Sequence, residues 1–297
     1  MHGKPPFALK GAPGDRSMVS EPLANRQFPP GSCSVPSVPH TATLHPDRYL
    51  DVVESEGRRL GDTAGGCFDN PVPSCPGWKV ADLVAHVGVV HRHKERIVHG
   101  LLAENPGIDG LQPPDDEGAL LSWYAEGLDL LVDTLRTADP DAPAWSWHEP
   151  NQTVGFWFRR MAHETTVHRV DAELAAGVDP APIDPEVAVD GLDEVLGPIM
   201  AAYTTDPHWG FRPDGRVVGL ETSVKHAVRR LRLGTSKHGE GWTYGAGQNG
   251  EPTTLITGRA CDLYLWAWGR AEDDVLTVTG NPALPGTVRS TVAAVTG

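Results

Sequence analysis

The chain has 297 residues, of which 39% are apolar, so it is long enough for one large or two ordinary domains with a real hydrophobic core. Its formal net charge of −14 argues against a general affinity for nucleic acid or acidic membrane surfaces, because both need a basic surface. No stretch approaches the roughly 18 to 20 apolar residues that cross a bilayer, so we expect no membrane segment and a small molecule as partner.

Residues 1–43 are rich in Pro, Gly and Ser and show no apolar period. Such a composition cannot bury enough apolar surface to order itself, and it predicts a disordered N-terminal extension. The first residues also lack the apolar run of a signal peptide. We therefore expect a cytoplasmic protein.

The cysteines do not form a recognisable pattern. Cys33, Cys67, Cys75 and Cys261 include no C-x-x-C pair, which disfavours a disulfide framework or a thiolate zinc site. We interpret them as buried or indifferent thiols.

Four helices are predicted between residues 44 and 180. The first begins near Pro46, a residue favoured at first helical positions, and ends before two glycines. The second covers residues 78–102, and the third runs from Gly118 to about Thr137. The fourth begins after Thr153, a plausible cap, and ends at Gly177. Four helices in such a short stretch predict a helical bundle.

A smaller α+β domain is predicted over residues 186–297. One helix covers residues 188–203, and short glycine-divided runs with β-rich character then predict strands over 216–222, 227–235, 241–247 and 253–260. A helix over 260–270, a strand over 274–280 and a short terminal helix complete the domain. The predicted fold class is thus an α-helical four-helix bundle followed by an α+β domain.

Two residues of the fourth helix have the spacing of metal ligands. Glu164 and His168 are four residues apart, so their side chains lie on one face of the helix. The spacing alone is weak, because such pairs also occur on ordinary helix surfaces. Asp171 is placed to accept a hydrogen bond that orients an imidazole. His163 points about 100° away from Glu164, and we interpret it as structural or exposed.

His86 is the candidate third ligand, because it lies on the apolar stripe of the second helix. Its rivals on that helix are His91, His93 and His99, and His91 falls on a different face. Two imidazoles and one carboxylate leave an open coordination position, as in catalytic zinc sites. The alternative is that His86 is a core histidine paired by a hydrogen bond.

Two segments resemble the DinB-like, mycothiol-dependent maleylpyruvate isomerase family. CPGWKVADLVAHV, at residues 75–87, is similar to the motif that opens the family's second helix, and AHETTVHRVDAELAAG, at 162–177, is similar to its E-x-x-x-H-R-x-D-A-E signature. The resemblance implies that His86, Glu164 and His168 bind a divalent metal, usually zinc.

The second domain carries the same resemblance at residues 190–196, 256–270 and 276–284. It implies that Arg270 corresponds to the family's C-terminal arginine and acts in catalysis by contacting substrate or thiol. The alternative is an arginine that interacts with the last carbonyls of its helix.

The function implied by the resemblance is thiol chemistry on a small electrophile. Mycothiol would be activated as its thiolate and added to the substrate, giving cis-trans isomerisation or, if the adduct is retained, S-transfer. Five basic residues are concentrated in one stretch of this acidic chain: Lys225, Arg229, Arg230, Arg232 and Lys237. They suit the binding of an anionic substrate, and the alternative is that they form a solvated face of a strand.

Two other functions stay open at this point. One is a non-catalytic metal- or ligand-binding protein, and the other is a hydrolase whose nucleophile is metal-bound water. Turnover that depends on a thiol would distinguish the thiol-using enzyme from both of these alternatives. The oligomeric state is also open, with a monomer among the options.

Overall fold

The computed structural model describes residues 44–201, 204, 216–222, 228–236, 239–244 and 251–296. The predicted N-terminal extension lies outside these residues, and so do Lys225 and Lys237. The side chains of Arg229, Arg230 and Arg232 also lie outside the described part of the structure. The described chain divides into two compact units that meet in sequence at Ala181 and Pro182. Within this part of the chain, no helix has the length and apolarity needed to cross a bilayer.

The first unit contains four long helices among its described residues. They are α1 (Pro46–Ala64), α2 (Val80–Gly100), α3 (Glu117–Thr137) and α4 (Val154–Ala175). Their ends follow local chemistry: the Asp116 carboxylate accepts a hydrogen bond from the amide of Gly118 at the start of α3. Gly177, with φ of 71°, adopts the left-handed conformation beyond α4.

Packing in this unit places α4 at the centre. Helix α1 packs mainly against α4, and α2 packs against both α3 and α4. Most α4 side chains are buried, including polar ones, so this helix has no broad solvent face. One apolar cluster joins α1, α2, α3 and α4: Leu60, Ala64, Val72, Val80, Leu83, Val84, Val87, Leu120, Tyr124 and Ala172.

A buried ionic clamp fixes α1 to α4. Arg169 is fully buried, and its guanidinium donates to Glu56 on α1 and to Glu173 at 2.6 Å on α4. Glu173 also accepts from Arg59 on α1 and from the amide of Ala181 at 3.0 Å. The burial of these charges is compensated because each carboxylate and guanidinium is paired.

The second unit begins with α5 (Pro185–Glu194), which continues as a π-helical segment, Val195–Ala201. The single helix predicted over 188–203 therefore changes its winding after Glu194; Pro198 has no amide proton to give to an α-helical ladder. Helices α6 (Ala260–Ala267) and α7 (Leu284–Thr296) follow later in the chain.

Five strands of the described chain form one sheet in the order β3-β2-β1-β4-β5. They are β1 (Val217–Thr222), β2 (Val228–Ser236), β3 (Gly239–Tyr244), β4 (Thr254–Gly258) and β5 (Thr277–Thr279). Strands β1 and β4 are parallel, with Leu220 opposite Ile256, and the other pairs are antiparallel. The predicted strand over 274–280 is shorter than expected, because a 3₁₀ turn occupies Asp273–Val275.

The sheet and helices of the second unit share one core. It contains Trp242 and Ile256 from the sheet, Trp266 from α6 and Val288 from α7. The indole of Trp266 donates to Asp273 at 2.8 Å, so its one polar atom is paired. A helical bundle followed by a smaller α+β unit is the predicted fold class, which is confirmed.

Candidate metal centre

The structure brings His86, Glu164 and His168 together inside the bundle. Glu164 Oε1 lies 3.3 Å from His86 Nε2 and 3.4 Å from His168 Nε2. One ligand atom from each of the three residues lies within 4.8 Å of the others. Tetrahedral ligands at about 2.0–2.1 Å from a zinc ion are about 3.3 Å apart, so this spacing fits a metal ion.

The three side chains are largely shielded from solvent. They are 7%, 13% and 12% exposed for His86, Glu164 and His168, respectively. Helix α4 carries Glu164 and His168 one turn apart, and α2 presents His86 from the facing side. The donor set is therefore preassembled on two packed helices, and two nitrogens with one oxygen suit zinc or another borderline divalent ion.

A fully buried carboxylate orients His168. Nδ1 of His168 lies 2.8 Å from Oδ2 of Asp171, one turn further along α4. Ser74 Oγ donates to the other oxygen of Asp171, and Cys75 Sγ lies 3.7 Å from Oδ2. With its proton held on Nδ1 by Asp171, His168 directs Nε2 toward Glu164 and any bound ion.

Cys75, His168 and Asp171 form a second group of close ligand atoms. Asp171 already accepts hydrogen bonds from Ser74, Cys75 and His168. We interpret this group as the outer layer of the same centre, because its atoms are engaged with one another. The thiol of Cys75 is therefore not indifferent to its surroundings, in contrast to our expectation from the sequence.

Arg160 engages the second oxygen of Glu164. Its Nη2 donates to Oε2 at 2.6 Å, and Arg160 is 2% exposed. Burial raises the pKa of Glu164, but the charge of Arg160 and the hydrogen bonds from His168 and His86 hold it well below its usual value. Glu164 is therefore ionised, with Oε1 directed toward the histidines.

The two histidines differ in protonation when no metal competes. Burial lowers the pKa of His86, against the hydrogen bond to Glu164. Burial also lowers the pKa of His168, but hydrogen bonds to Asp171 and Glu164 outweigh it and raise the pKa to about 9. His86 is thus a neutral imidazole, and His168 must lose a proton to bind a metal.

Trp78 packs on His86, with ring centroids 4.9 Å apart. Nδ1 of His86 is buried and has no hydrogen-bond partner among the described residues. This nitrogen is on the opposite side of the ring from Nε2, the atom that faces Glu164. The fit to a divalent ion therefore rests on the donor set itself, which is two imidazoles and one ionised carboxylate.

The remaining histidines of the bundle have other partners. His91, which we predicted on a different face from His86, is fully buried, and its Nε2 lies 3.0 Å from Thr165 Oγ1. His163 is buried against the Tyr49 ring, and His93 contacts Asn105 at 2.9 Å. His99 is exposed. None of them is in a metal-binding group of the described residues.

Arg270 lies in the second unit, just after α6. Its Nη1 donates to the carbonyl of Trp268 at 2.5 Å. This contact is the one expected of an arginine that satisfies the last carbonyls of a helix. A catalytic role for Arg270 stays a prediction.

Sequence reasoning missed Ser74, Trp78 and Arg160 as parts of the centre. Ser74 and Trp78 flank the loop that precedes α2 and contact Asp171 and His86. A signal was present for Trp78, which lies in the segment at 75–87 that resembles the family motif, and Ser74 immediately precedes that segment. Arg160 lies four residues before Glu164, the spacing of a helical ion pair.

Comparisons with known proteins find one family model and solved structures that are similar to this chain. Residues 52–173 match the family described as mycothiol maleylpyruvate isomerase N-terminal domain. A crystal structure of a mycothiol-dependent maleylpyruvate isomerase is similar with a TM-score of 0.54 and 14% identity, over 80% of this chain and 96% of that one. The crystal structure of a histidine-to-alanine mutant of such an isomerase is similar with a TM-score of 0.56 and 13% identity, over 80% of this chain and 96% of that one. No curated protein sequence matches the chain.

Proposed function

Since the helical bundle of this chain belongs to the mycothiol maleylpyruvate isomerase N-terminal domain family, we propose that the chain is a metal-dependent enzyme that adds an activated thiol to a small electrophile. The thiol we propose is mycothiol, and the metal is zinc. The outcome is cis-trans isomerisation of an unsaturated acid of the maleylpyruvate type.

One observation carries this proposal: the convergence of His86 Nε2, Glu164 Oε1 and His168 Nε2 in a shielded site. Three protein ligands leave a coordination position for an exogenous group, which distinguishes catalytic from structural zinc sites. A purely structural role would not need that position.

The residues around the ligands support thiol activation. When bound, a divalent ion deprotonates a coordinated thiol at neutral pH, so no separate strong base is required. Asp171 holds His168 in the tautomer that binds through Nε2, and Arg160 keeps the Glu164 carboxylate fixed through its other oxygen. Trp78 shields His86 from water on one side.

The reaction requires few further groups. The thiolate adds to one carbon of a cis double bond, the remaining carbon–carbon single bond rotates, and elimination of the same thiolate leaves the trans isomer. If the adduct does not eliminate, the product is a thioether, and the activity is S-transfer. A thiol-using enzyme of this kind works where such thiols are kept reduced, so we place it in the cytoplasm.

The test is turnover of maleylpyruvate by zinc-loaded protein, with and without mycothiol. We expect fumarylpyruvate to form only when the thiol is present. Conversion without thiol, accompanied by uptake of ¹⁸O from labelled water into a product, would replace the proposal with a hydrolase. Thioether accumulation would replace isomerisation with S-transfer, and binding of zinc without any turnover would favour a binding protein.

A further inference from the structure

A lysine and a tryptophan meet across the same two helices that supply the metal ligands. Nζ of Lys94, on α2, lies 4.9 Å from the ring centroid of Trp157 on α4. Lys94 follows His86 by eight residues, and Trp157 precedes Glu164 by seven. At 1.5 Å per residue, the backbone of Lys94 is roughly 12 Å along α2 from that of His86, and the backbone of Trp157 is roughly 10 Å along α4 from that of Glu164. The charge of Lys94 still acts on the pKa of His86.

Neighbouring side chains hold the ammonium in place. Lys94 Nζ donates to His93 Nδ1 at 2.6 Å, and His93 Nε2 lies 2.9 Å from Asn105 Oδ1. The same Asn105 oxygen accepts from the amide of Gly107 at 3.0 Å, so it acts as an acceptor. His93 therefore carries its proton on Nε2 and offers Nδ1 to Lys94. Burial lowers the pKa of His93 to about 3, which keeps the ring neutral.

The ammonium of Lys94 forms no direct ion pair with a carboxylate of the described residues. The nearest negative charge that acts on its pKa is that of Glu164, which opposes the effect of burial. An ammonium has three N–H donors, and the hydrogen bond to His93 uses one. Burial lowers the pKa of Lys94 to about 8, so the group is still predominantly protonated at neutral pH. A partly buried cation in this state is stabilised by any anion that reaches it.

The charges between Lys94 and the metal ligands also favour an anion. Glu164 is the one carboxylate among the three ligands, and Arg160 already pairs with it at 2.6 Å. Asp171 pairs with His168. Lys94 adds a second cation beside Arg160, and a divalent ion would add more positive charge, although the chain as a whole has a formal net charge of −14.

We infer that Lys94, seated on Trp157, binds a carboxylate that the substrate carries at the end remote from the metal centre. The inference rests on the proposed function and specifies its substrate class: small acids that carry an anionic group at the end directed away from the metal. In this role Lys94 determines specificity and orientation, because it fixes which carbon of the substrate faces the thiolate.

Two diacid derivatives of equal length test the inference without catalysis. A six-carbon diacid has one carboxylate for a metal–oxygen bond of about 2 Å and a second carboxylate for a hydrogen bond of about 2.8 Å to Lys94. Adipate and its monoamide, adipamate, are titrated into zinc-loaded wild type, Lys94→Met and Lys94→Arg by calorimetry. Lys79→Met is the control, because Lys79 is exposed and paired with Asp69.

We expect the wild type and the Lys79 variant to bind adipate about tenfold more tightly than adipamate. Lys94→Met should lose that preference while retaining zinc and its affinity for adipamate, and Lys94→Arg should retain part of it. An equal preference in Lys94→Met, or none in the wild type, would overturn the inference.

The zinc content of the same samples separates this result from failure of the proposed function. A wild type that binds no zinc removes the metal mechanism. The adipate preference is then measured on metal-free protein: a preference that depends on Lys94 upholds the carboxylate site, and its absence refutes it.

Discussion

Nδ1 of His168 lies 2.8 Å from Oδ2 of Asp171, a carboxylate with no exposed surface. The two residues are three apart on α4, so a single helical turn supplies both a candidate metal ligand and the group that orients it. The orientation of the imidazole is therefore set by the fold before any ion binds.

Asp171→Asn should weaken zinc binding by about ten- to a hundredfold, because outer hydrogen-bond partners of ligating histidines have effects of this size. Competition with a chromophoric chelator measures the affinity. Asp129→Asn is the matched control, since Asp129 is half exposed and pairs with Arg58 on the surface. An unchanged zinc affinity in Asp171→Asn would show that Asp171 does not support the centre.

Zinc affinity should rise with pH up to about 9. The pKa of His168 is raised to about 9 by Asp171 and Glu164 despite burial, so below this pH the ion must displace one proton. His86 has a lowered pKa and releases none at neutral pH. We expect the apparent affinity to increase roughly tenfold per pH unit between about pH 6 and pH 8. Calorimetry in buffers of different ionisation enthalpy counts the proton, and a pH-independent affinity would contradict this protonation scheme.

Arg169→Met should destabilise the protein by about 3–5 kcal/mol, because it leaves Glu56 and the buried Glu173 without their shared cation. Urea unfolding measures the free energy. Arg58→Met is the control: its pair with Asp129 is largely solvent-exposed, so we expect a change of no more than about 1 kcal/mol. Equal effects of the two substitutions would refute the buried clamp.

Gly88→Ala should also destabilise the bundle, by about 1–3 kcal/mol. A Cβ atom at Gly88 would lie 2.3 Å from the Trp123 ring, so either this ring would have to move or α2 and α3 would have to separate. Gly66→Ala is the comparison, because a Cβ atom there meets nothing within 4 Å. A neutral effect of Gly88→Ala in thermal unfolding would mean that the two helices are not packed as closely as described.

Much of the fold follows from the sequence. Apolar periodicity and terminal Pro and Gly residues predicted the four long helices within a few residues of their observed bounds. The π-helical winding after Glu194 was not predictable, because it depends on how Pro198 is accommodated in the folded second unit. The last strand is also shorter than predicted, because a 3₁₀ turn occupies Asp273–Val275.

The centre was only partly predictable. Helical spacing pairs Glu164 with His168, and the apolar stripe of α2 favoured His86 over His91, yet His91 is fully buried as well. The facing side chain decides between them: His91 meets a threonine hydroxyl, whereas His86 meets Glu164. Contacts of this kind connect residues far apart in sequence, and a single chain carries no record of them.

Metal content is the measurement that tests the central claim most directly. Plasma mass spectrometry on tag-free protein is applied to the wild type and to His86→Ala, Glu164→Ala and His168→Ala, with the exposed His99→Ala as control. We predict about one divalent ion per chain in the wild type and in His99→Ala, and loss of the ion in each of the three ligand variants. A metal-free wild type that also fails to take up added zinc or other divalent ions would contradict the metal centre.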